Sequence, residues 1–331
     1  MSTTQIIAEA GVNHNGDISI AKKLVIAAKK AGADIVKFQT FNPVKLASKQ
    51  AAMAEYQVKN LGAEKSQEEM LSELSLPYEG YKELAQLCSE VGIKFLSTPF
   101  DIDSVKFLND LQDVWKIPSG EITNYPYLVE IAKTGKDVIL STGMSNMEEV
   151  DAAMQVLKEN GAGDINLLHC TTNYPTPMTD VNLKAMIALK ACFSCQVGYS
   201  DHTEGIEVSI AAVAMGARII EKHFTLDKNM EGPDHKASLE PNEFARMVKA
   251  IRNIEQAMGN GEKIPTEEEK SNMKVVRKSI VALRDIMAGE ILTEENITTK
   301  RPGTGICPMR WNEVLGTRAI RDFKEDDLIE E

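Results

Sequence analysis

Histidines, lysines, carboxylates and hydroxyls gather at the ends of eight short apolar runs. The run-ends read Glu9-Ala-Gly-Val-Asn13-His14-Asn15-Gly16, Lys37-Phe-Gln39-Thr40, Ser97-Thr98-Pro99, Lys116-Ile-Pro-Ser119-Gly-Glu121, Ser141-Thr142-Gly143, His169-Cys170-Thr171-Thr172-Asn173-Tyr174, Ser200-Asp201-His202 and Glu221-Lys222-His223. His202 and His223 end consecutive runs. Barrel neighbours lie about 4.8 Å apart, so two imidazoles on adjacent tips can share one divalent ion. Glu9 ends the first run, which meets the eighth if the runs close on themselves, and adds a carboxylate. Two His with oxygen ligands and open positions suit Mn²⁺, with Mg²⁺ or Co²⁺ as alternatives, better than a closed zinc site. The competing reading is a pair of hydrogen-bonding barrel histidines without metal.

Lys37 and Lys116 end the second and fourth runs, where an unpaired buried cation is costly. They can neutralise a phosphate or carboxylate, with hydroxyls from Ser119, Ser141 and Thr142 and N–H donors from the Ser-Gly and Thr-Gly turns. Alternatively they pair with a barrel carboxylate such as Glu121 or Glu221. Glu9, Glu121, Asp201 and Asp234 are the candidate acids and bases, able to hold a metal, bind a hydroxyl or move a proton. His14 can order its own turn or touch a substrate.

The elements that must position these groups follow from periodicity. Strands are expected near Gln5–Glu9, Asp34–Phe38, Ile93–Ser97, Val114–Ile117, Asp137–Ser141, Ile165–His169, Cys195–Ser200 and Arg218–His223, with helical stretches between most of them. Asp17 can cap a helix over 18–31, and further helices are expected over Met147–Asn160, Ile206–Met215 and Pro241–Met258. Strand, polar tip and helix repeated eight times predict a (β/α)₈ TIM barrel with its site on one rim. The segment from Asn42 to Leu76 is long and polar and holds one helix opened by a Ser66/Glu69 capping box; it reads as a lid, a substrate loop or a surface excursion. The division expected is a barrel over 1–258, a linker over 259–276, and a small β-rich domain over 277–331 that would gain from docking on a partner surface.

Bulk properties narrow the class. A formal charge of -12 argues against nucleic-acid binding and would repel an anionic substrate at long range. No stretch nears the roughly 18 apolar residues that span a membrane. The first expected strand begins within a few residues of Met1, leaving no room for a signal peptide. Five cysteines read as free thiols of a cytoplasmic enzyme, and Cys192-Phe-Ser-Cys195 is expected to be strand packing rather than a redox or zinc pair.

Taken together, Glu9-Ala-Gly-Val-Asn-His-Asn-Gly16, Val36-Lys-Phe-Gln39, Leu96-Ser-Thr-Pro-Phe100, Lys116-Ile-Pro-Ser-Gly-Glu121, Leu140-Ser-Thr-Gly143, Tyr174-Pro-Thr-Pro177, Gly198-Tyr-Ser-Asp-His202, Glu221-Lys-His-Phe-Thr225, Gly232-Pro-Asp-His235 and Lys300-Arg-Pro-Gly303 resemble the sialic acid synthase family almost end to end. The C-terminal segment looks like that family's antifreeze-like (SAF) domain. The resemblance implies condensation of phosphoenolpyruvate (PEP) with an N-acetylated mannosamine-type sugar. C3 of PEP attacks the open-chain aldehyde, water adds at C2, and phosphate leaves by C–O cleavage. It implies metal ligation by His202 and His223. It further implies PEP contacts from Lys37, Lys116, Ser119, Ser141, Thr172 and Ser200, with Asn173 as the alternative to Thr172. Glu9 is implied as an essential acid, Glu121 as facing the intermediate, and Gln39, Tyr174 and Asp234 as sugar-side residues. Arg301 is implied to enter the partner's site in a domain-swapped homodimer.

N-acetylmannosamine, giving N-acetylneuraminate, is the first acceptor expected. A 6-deoxy-2,4-diacetamido mannose, giving a legionaminate, is the alternative, because the wording around Glu9 and His202 also looks like legionaminate synthases. A different metal-dependent aldolase or PEP synthase would explain two His and two Lys but not Lys300-Arg-Pro-Gly303. A non-catalytic assembly module would not need every reactive position filled.

Overall fold

Strand parity decides which side chains meet inside. In a computed structural model, which describes residues 3–46 and 66–331, eight parallel strands form: β1 (Gln5–Gly11), β2 (Ile35–Thr40), β3 (Lys94–Pro99), β4 (Val114–Ile117), β5 (Asp137–Ser141), β6 (Ile165–His169), β7 (Val197–Asp201) and β8 (Ile219–His223). Their order is β3-β2-β1-β8-β7-β6-β5-β4, and β3 packs beside β4, so the sheet closes on itself as a TIM barrel. At that seam the Ser97 N–H donates to the Gln112 side-chain oxygen at 2.8 Å, satisfying a backbone group with a side chain.

Successive strand residues alternate faces. Ile7, Ile35, Leu96, Ile139, Leu168 and Ile219, joined by Val114, make one apolar layer. The opposite parity, including Ile6, Val36, Trp115, Leu140, Tyr199 and Ile220, packs under the helices. Two residues beyond the inner layer, the same parity carries Glu9, Lys37, Thr98, Lys116, Ser141, Cys170 and Glu221 to a cavity above it. Gly198 occupies the inner level of β7, where a Cβ would lie 2.3 Å from the Ile219 carbonyl and 2.6 Å from a Leu168 methyl.

The expected helices are present with ends shifted by a residue or so: Ile18–Lys30, Met147–Glu159, Glu207–Ala214 and Pro241–Ala257. Asp17 caps the first, accepting from the Ser19 N–H, after Gly16 turns the chain at φ 72°. Helix Gln67–Leu74 opens with the Ser66/Glu69 capping box. Residues 47–65 of the expected insertion lie outside the described residues, and a short helix, Pro43–Leu46, precedes them. Cys195 does not open β7 as expected: it precedes the strand, half-buried, and Cys192 is exposed at the end of helix Lys184–Phe193.

The chain divides into two units, Met1–Gly259 and Asn260–Glu331. The stretch read as a linker contains helix Glu267–Val276, capped by Thr266 with Glu269. Its acidic run, Glu267, Glu268 and Glu269, sits in the first helical turn, where negative charge is favoured by the helix dipole. After it, β9 (Ser279–Ala282) pairs antiparallel with β10 (Ile297–Lys300) over a core that includes Ile280, Ile286, Leu292, Val314 and Phe323. Among the described residues no helix is long and apolar enough to cross a membrane.

Candidate functional site

The cavity above the apolar layer has a volume of about 460 Å³, within the range of small-molecule sites. Two lysines enter it from separate strands. Lys37 Nζ lies 2.5 Å from Glu9 Oε2 and 3.8 Å from Glu221 Oε2, and donates to Thr98 Oγ1 at 3.1 Å. Lys116 Nζ donates to Ser141 Oγ at 2.7 Å and lies 3.7 Å from Glu221 Oε1. The lysines are balanced by barrel carboxylates. Burial pushes the Glu221 carboxyl up, but Lys116, Lys37 and His223 outweigh it and hold Glu221 down to about 2. Burial, with Glu221 adding to it, raises Glu9 despite Lys37. Burial works against the Lys37 ammonium, but Glu221 and Glu9 hold it charged; at Lys116 burial wins and lowers it. Two lysines therefore face the firmly ionised Glu221 from separate strands, an arrangement that suits an added anion.

Hydroxyls surround these cations. Ser200 Oγ donates to Glu221 Oε1 at 3.1 Å. Ser119 Oγ accepts from the Gly143 N–H at 2.9 Å and lies 3.1 Å from Cys170 Sγ. Thr172 lines the cavity, whereas Asn173 is exposed and outside the lining. The Thr142 hydroxyl, expected in the anion pocket, is instead spent on the Leu168 carbonyl at 3.1 Å.

His202 and His223 stand with ring centroids 5.5 Å apart, and Tyr174 packs 4.2 Å from the His202 ring. Glu9 is in register with His223 across β1 and β8. His202 Nδ1 meets the Thr171 carbonyl at 2.7 Å, so that nitrogen carries the proton and Nε2 keeps its lone pair. The Nδ1 of His223 is buried and has no hydrogen-bond partner among the described residues. Burial lowers both imidazoles, with His202 adding to the effect on His223, which keeps them neutral as metal ligation requires. Among the described residues no three His, Cys, Asp or Glu form a complete cage. The pair fits a divalent ion whose other positions are filled by water or substrate, and it does not fit a closed structural site.

Gln39 donates to Glu9 Oε1 at 3.0 Å. Asp234 lines the same cavity, and burial followed by the Glu9 charge raises its carboxyl to about 7. Its loop is tied down by the β1 tip. Asn15 donates to the Glu231 carbonyl at 2.7 Å, and Asn13 donates to Ser238 Oγ at 2.9 Å. His14 orders its own turn, its Nδ1 accepting from the Gly16 N–H at 3.1 Å.

Three candidates fall elsewhere. Asp201 points to the helix side of the barrel, where it pairs with Lys222 at 3.0 Å and accepts from Ser209 at 2.6 Å. Parity puts it out of phase with Ser200 and His202. Glu121 is half-buried outside the cavity lining and accepts from Asn124 at 2.6 Å; burial raises it. Arg301 belongs to the second unit, exposed, with its Nε donating to the Val276 carbonyl at 3.0 Å. Sequence reasoning gave Glu221 only a pairing role, and placed Thr98 and Cys170 at run-ends without a role in the site. Counting by twos from Leu96, Leu168 and Ile219 would have found all three.

Comparison with known proteins decides the family. The NeuB family matches residues 24–263, and the SAF domain matches 277–331. The chain belongs to the NeuB family. Within it, an N,N'-diacetyllegionaminic acid synthase of Campylobacter jejuni is 55% identical over 334 residues, covering 100% of both chains. The human N-acetylneuraminate-9-phosphate synthase is 36% identical over 329 residues, 98% of this chain and 91% of that one. Among solved NeuB-like structures, an N-acetylneuraminic acid (sialic acid) synthetase from Leptospira borgpetersenii superposes with a TM-score of 0.72 at 33% identity, covering 82% of this chain and 90% of that one.

Proposed function

We propose that this NeuB-family enzyme is a transferase that condenses PEP and water with 2,4-diacetamido-2,4,6-trideoxymannose, giving N,N'-diacetyllegionaminate and phosphate. The observation that carries it is the end-to-end 55% identity with a legionaminic acid synthase, against 36% with an N-acetylneuraminate-9-phosphate synthase. This moves the acceptor from N-acetylmannosamine, first expected from sequence, to the diacetamido alternative.

Lys37 and Lys116 would receive the phosphate and carboxylate of PEP, with Ser119, Ser141, Ser200 and Thr172 donating to the same oxygens. Glu221, already between the lysines, would keep both oriented. Their fixed charge would stabilise the tetrahedral centre formed when water adds at C2, before phosphate leaves with C–O cleavage. His202 and His223 would hold Mn²⁺ or a similar divalent ion, which when bound supplies Lewis-acid polarisation of the sugar carbonyl. Gln39, Tyr174 and Asp234 would face the sugar. Asp234, near neutrality in pKa, is suited to give or take a proton, and Glu9 beside it is a second such group. Glu121 would reach the intermediate only through movement of its turn.

The working form would be a homodimer in which Arg301 of one protomer completes the site of the other. Supporting this are its exposure and the small core of its unit. Five unpaired thiols fit a reducing, cytoplasmic setting. The test is PEP consumption and phosphate release with Mn²⁺ and each sugar side by side. Faster turnover of the diacetamido sugar supports the reading, and turnover of N-acetylmannosamine alone overturns it.

A further inference from the structure

One sector of the cavity has a different chemistry from the rest. The anion-facing groups stand on β2, β4, β5 and β7, and the imidazoles on β7 and β8. Over the tips of β1 to β3 the wall is apolar: Val12, Phe100, Met70, Leu71 and Leu74 line it, with Gln67 the polar member of that wall among the described residues. These side chains are not part of the barrel core. Val12, Met70 and Leu74 form a separate cluster with Phe41, against which Leu71 and Phe100 pack. Phe41 meets Phe100 edge-on at 6.3 Å, and the capping box at Ser66 fixes the start of the helix that supplies the three central residues. Val12, Met70 and Leu74 are almost wholly buried, whereas Leu71 and Phe100, which also line the cavity, remain partly exposed.

An apolar wall is unexpected in a cavity built for an anion and a polyhydroxylated sugar. A sugar hydroxyl placed against it would lose water without gaining a partner. We infer that this wall is the specificity-determining subsite for the 6-deoxy end of the acceptor, receiving its C6 methyl group and disfavouring a 6-hydroxymethyl. The inference rests on the proposed PEP condensation and names the residues that would make it selective. From the anion groups and imidazoles, the acceptor would run across the cavity past Gln39, which stands on β2 beneath the wall. Its terminal carbon would then meet Leu71, Phe100 and Val12.

An apolar pocket discriminates against an added hydroxyl by roughly 10- to 100-fold. The experiment compares kcat/KM for 2,4-diacetamido-2,4,6-trideoxymannose with that for its 6-hydroxy counterpart, which differs by one oxygen, using the full chain with PEP and Mn²⁺. The wild type should prefer the 6-deoxy sugar by about that factor, and Leu71→Ser should cut the ratio at least threefold. Val12→Thr keeps the side-chain shape and serves if Leu71→Ser does not fold; it should move the ratio the same way. Equal use of both sugars by the wild type, or an unchanged ratio in either folded variant, would overturn the subsite while leaving the synthase reading intact. No turnover of either diacetamido sugar would remove both.

Discussion

Asp234→Asn should make the barrel more stable at alkaline pH while removing activity. Burial, followed by the Glu9 charge, raises this carboxyl from 3.8 to about 7. A carboxyl whose folded pKa exceeds its unfolded one binds an extra proton in the native state between the two values. Stability is therefore lost as pH rises through that window. At about 1.36 kcal/mol per unit, the full loss is about 4 kcal/mol, complete just above pH 7. Between pH 5 and pH 8 the wild type should lose about 2.7 kcal/mol that the amide variant keeps, since asparagine stays neutral throughout. A domain of this size shifts by roughly 2–4 °C per kcal/mol, so the gap in Tm should widen by about 5–10 °C. The assay is thermal unfolding followed by near-UV circular dichroism at pH 5, 6, 7 and 8. EDTA is included because a bound cation would pull the carboxyl down. Turnover of the variant should fall by about 100-fold or more, as for loss of a proton-transfer group. Parallel Tm–pH curves for the two proteins would refute the argument that Asp234 is held near neutrality by burial.

Three other outcomes are expected. His202→Ala should abolish tight Mn²⁺ binding by titration calorimetry while circular dichroism stays native, and EDTA should stop wild-type turnover until Mn²⁺ is restored. Arg301→Ala and His223→Ala should each be inactive, yet regain activity on co-assembly, because a mixed swapped dimer holds one intact site; no regain would place Arg301 in its own protomer's site or in none. Gly198→Ala should lower the unfolding free energy by about 1–3 kcal/mol, read as an earlier denaturant midpoint, since its new Cβ would stand 2.3 Å from the Ile219 carbonyl.

The sequence alone determined the eight-fold alternation, and with it the barrel and the rim. Short apolar runs ended by polar residues and spaced by helical stretches have few other solutions. It also placed Lys37, Lys116, His202 and His223 on strand tips, because each sits at the end of a run whose limits composition marks. Helix starts at Asp17 and Ser66 were legible for the same reason: a cap is a local interaction, made by residues two or three apart.

What pairs with what was decided by closure. Glu9 and Lys37 are 28 positions apart, and Glu221 lies far beyond both, yet strand order β2-β1-β8 brings them within 4 Å. No local signal encodes those distances. The same holds for parity: Asp201 and His202 are neighbours in sequence, but one faces the helices and the other the cavity. The apolar wall was the least visible of all, since Val12, Met70, Leu71, Leu74 and Phe100 come from three separate connections. Only the tertiary fold stacks them over one sector of the rim. Chemistry-bearing residue types can be read from order along the chain. Their charges, partners and facing depend on which strand tips meet, and that is set by the ring.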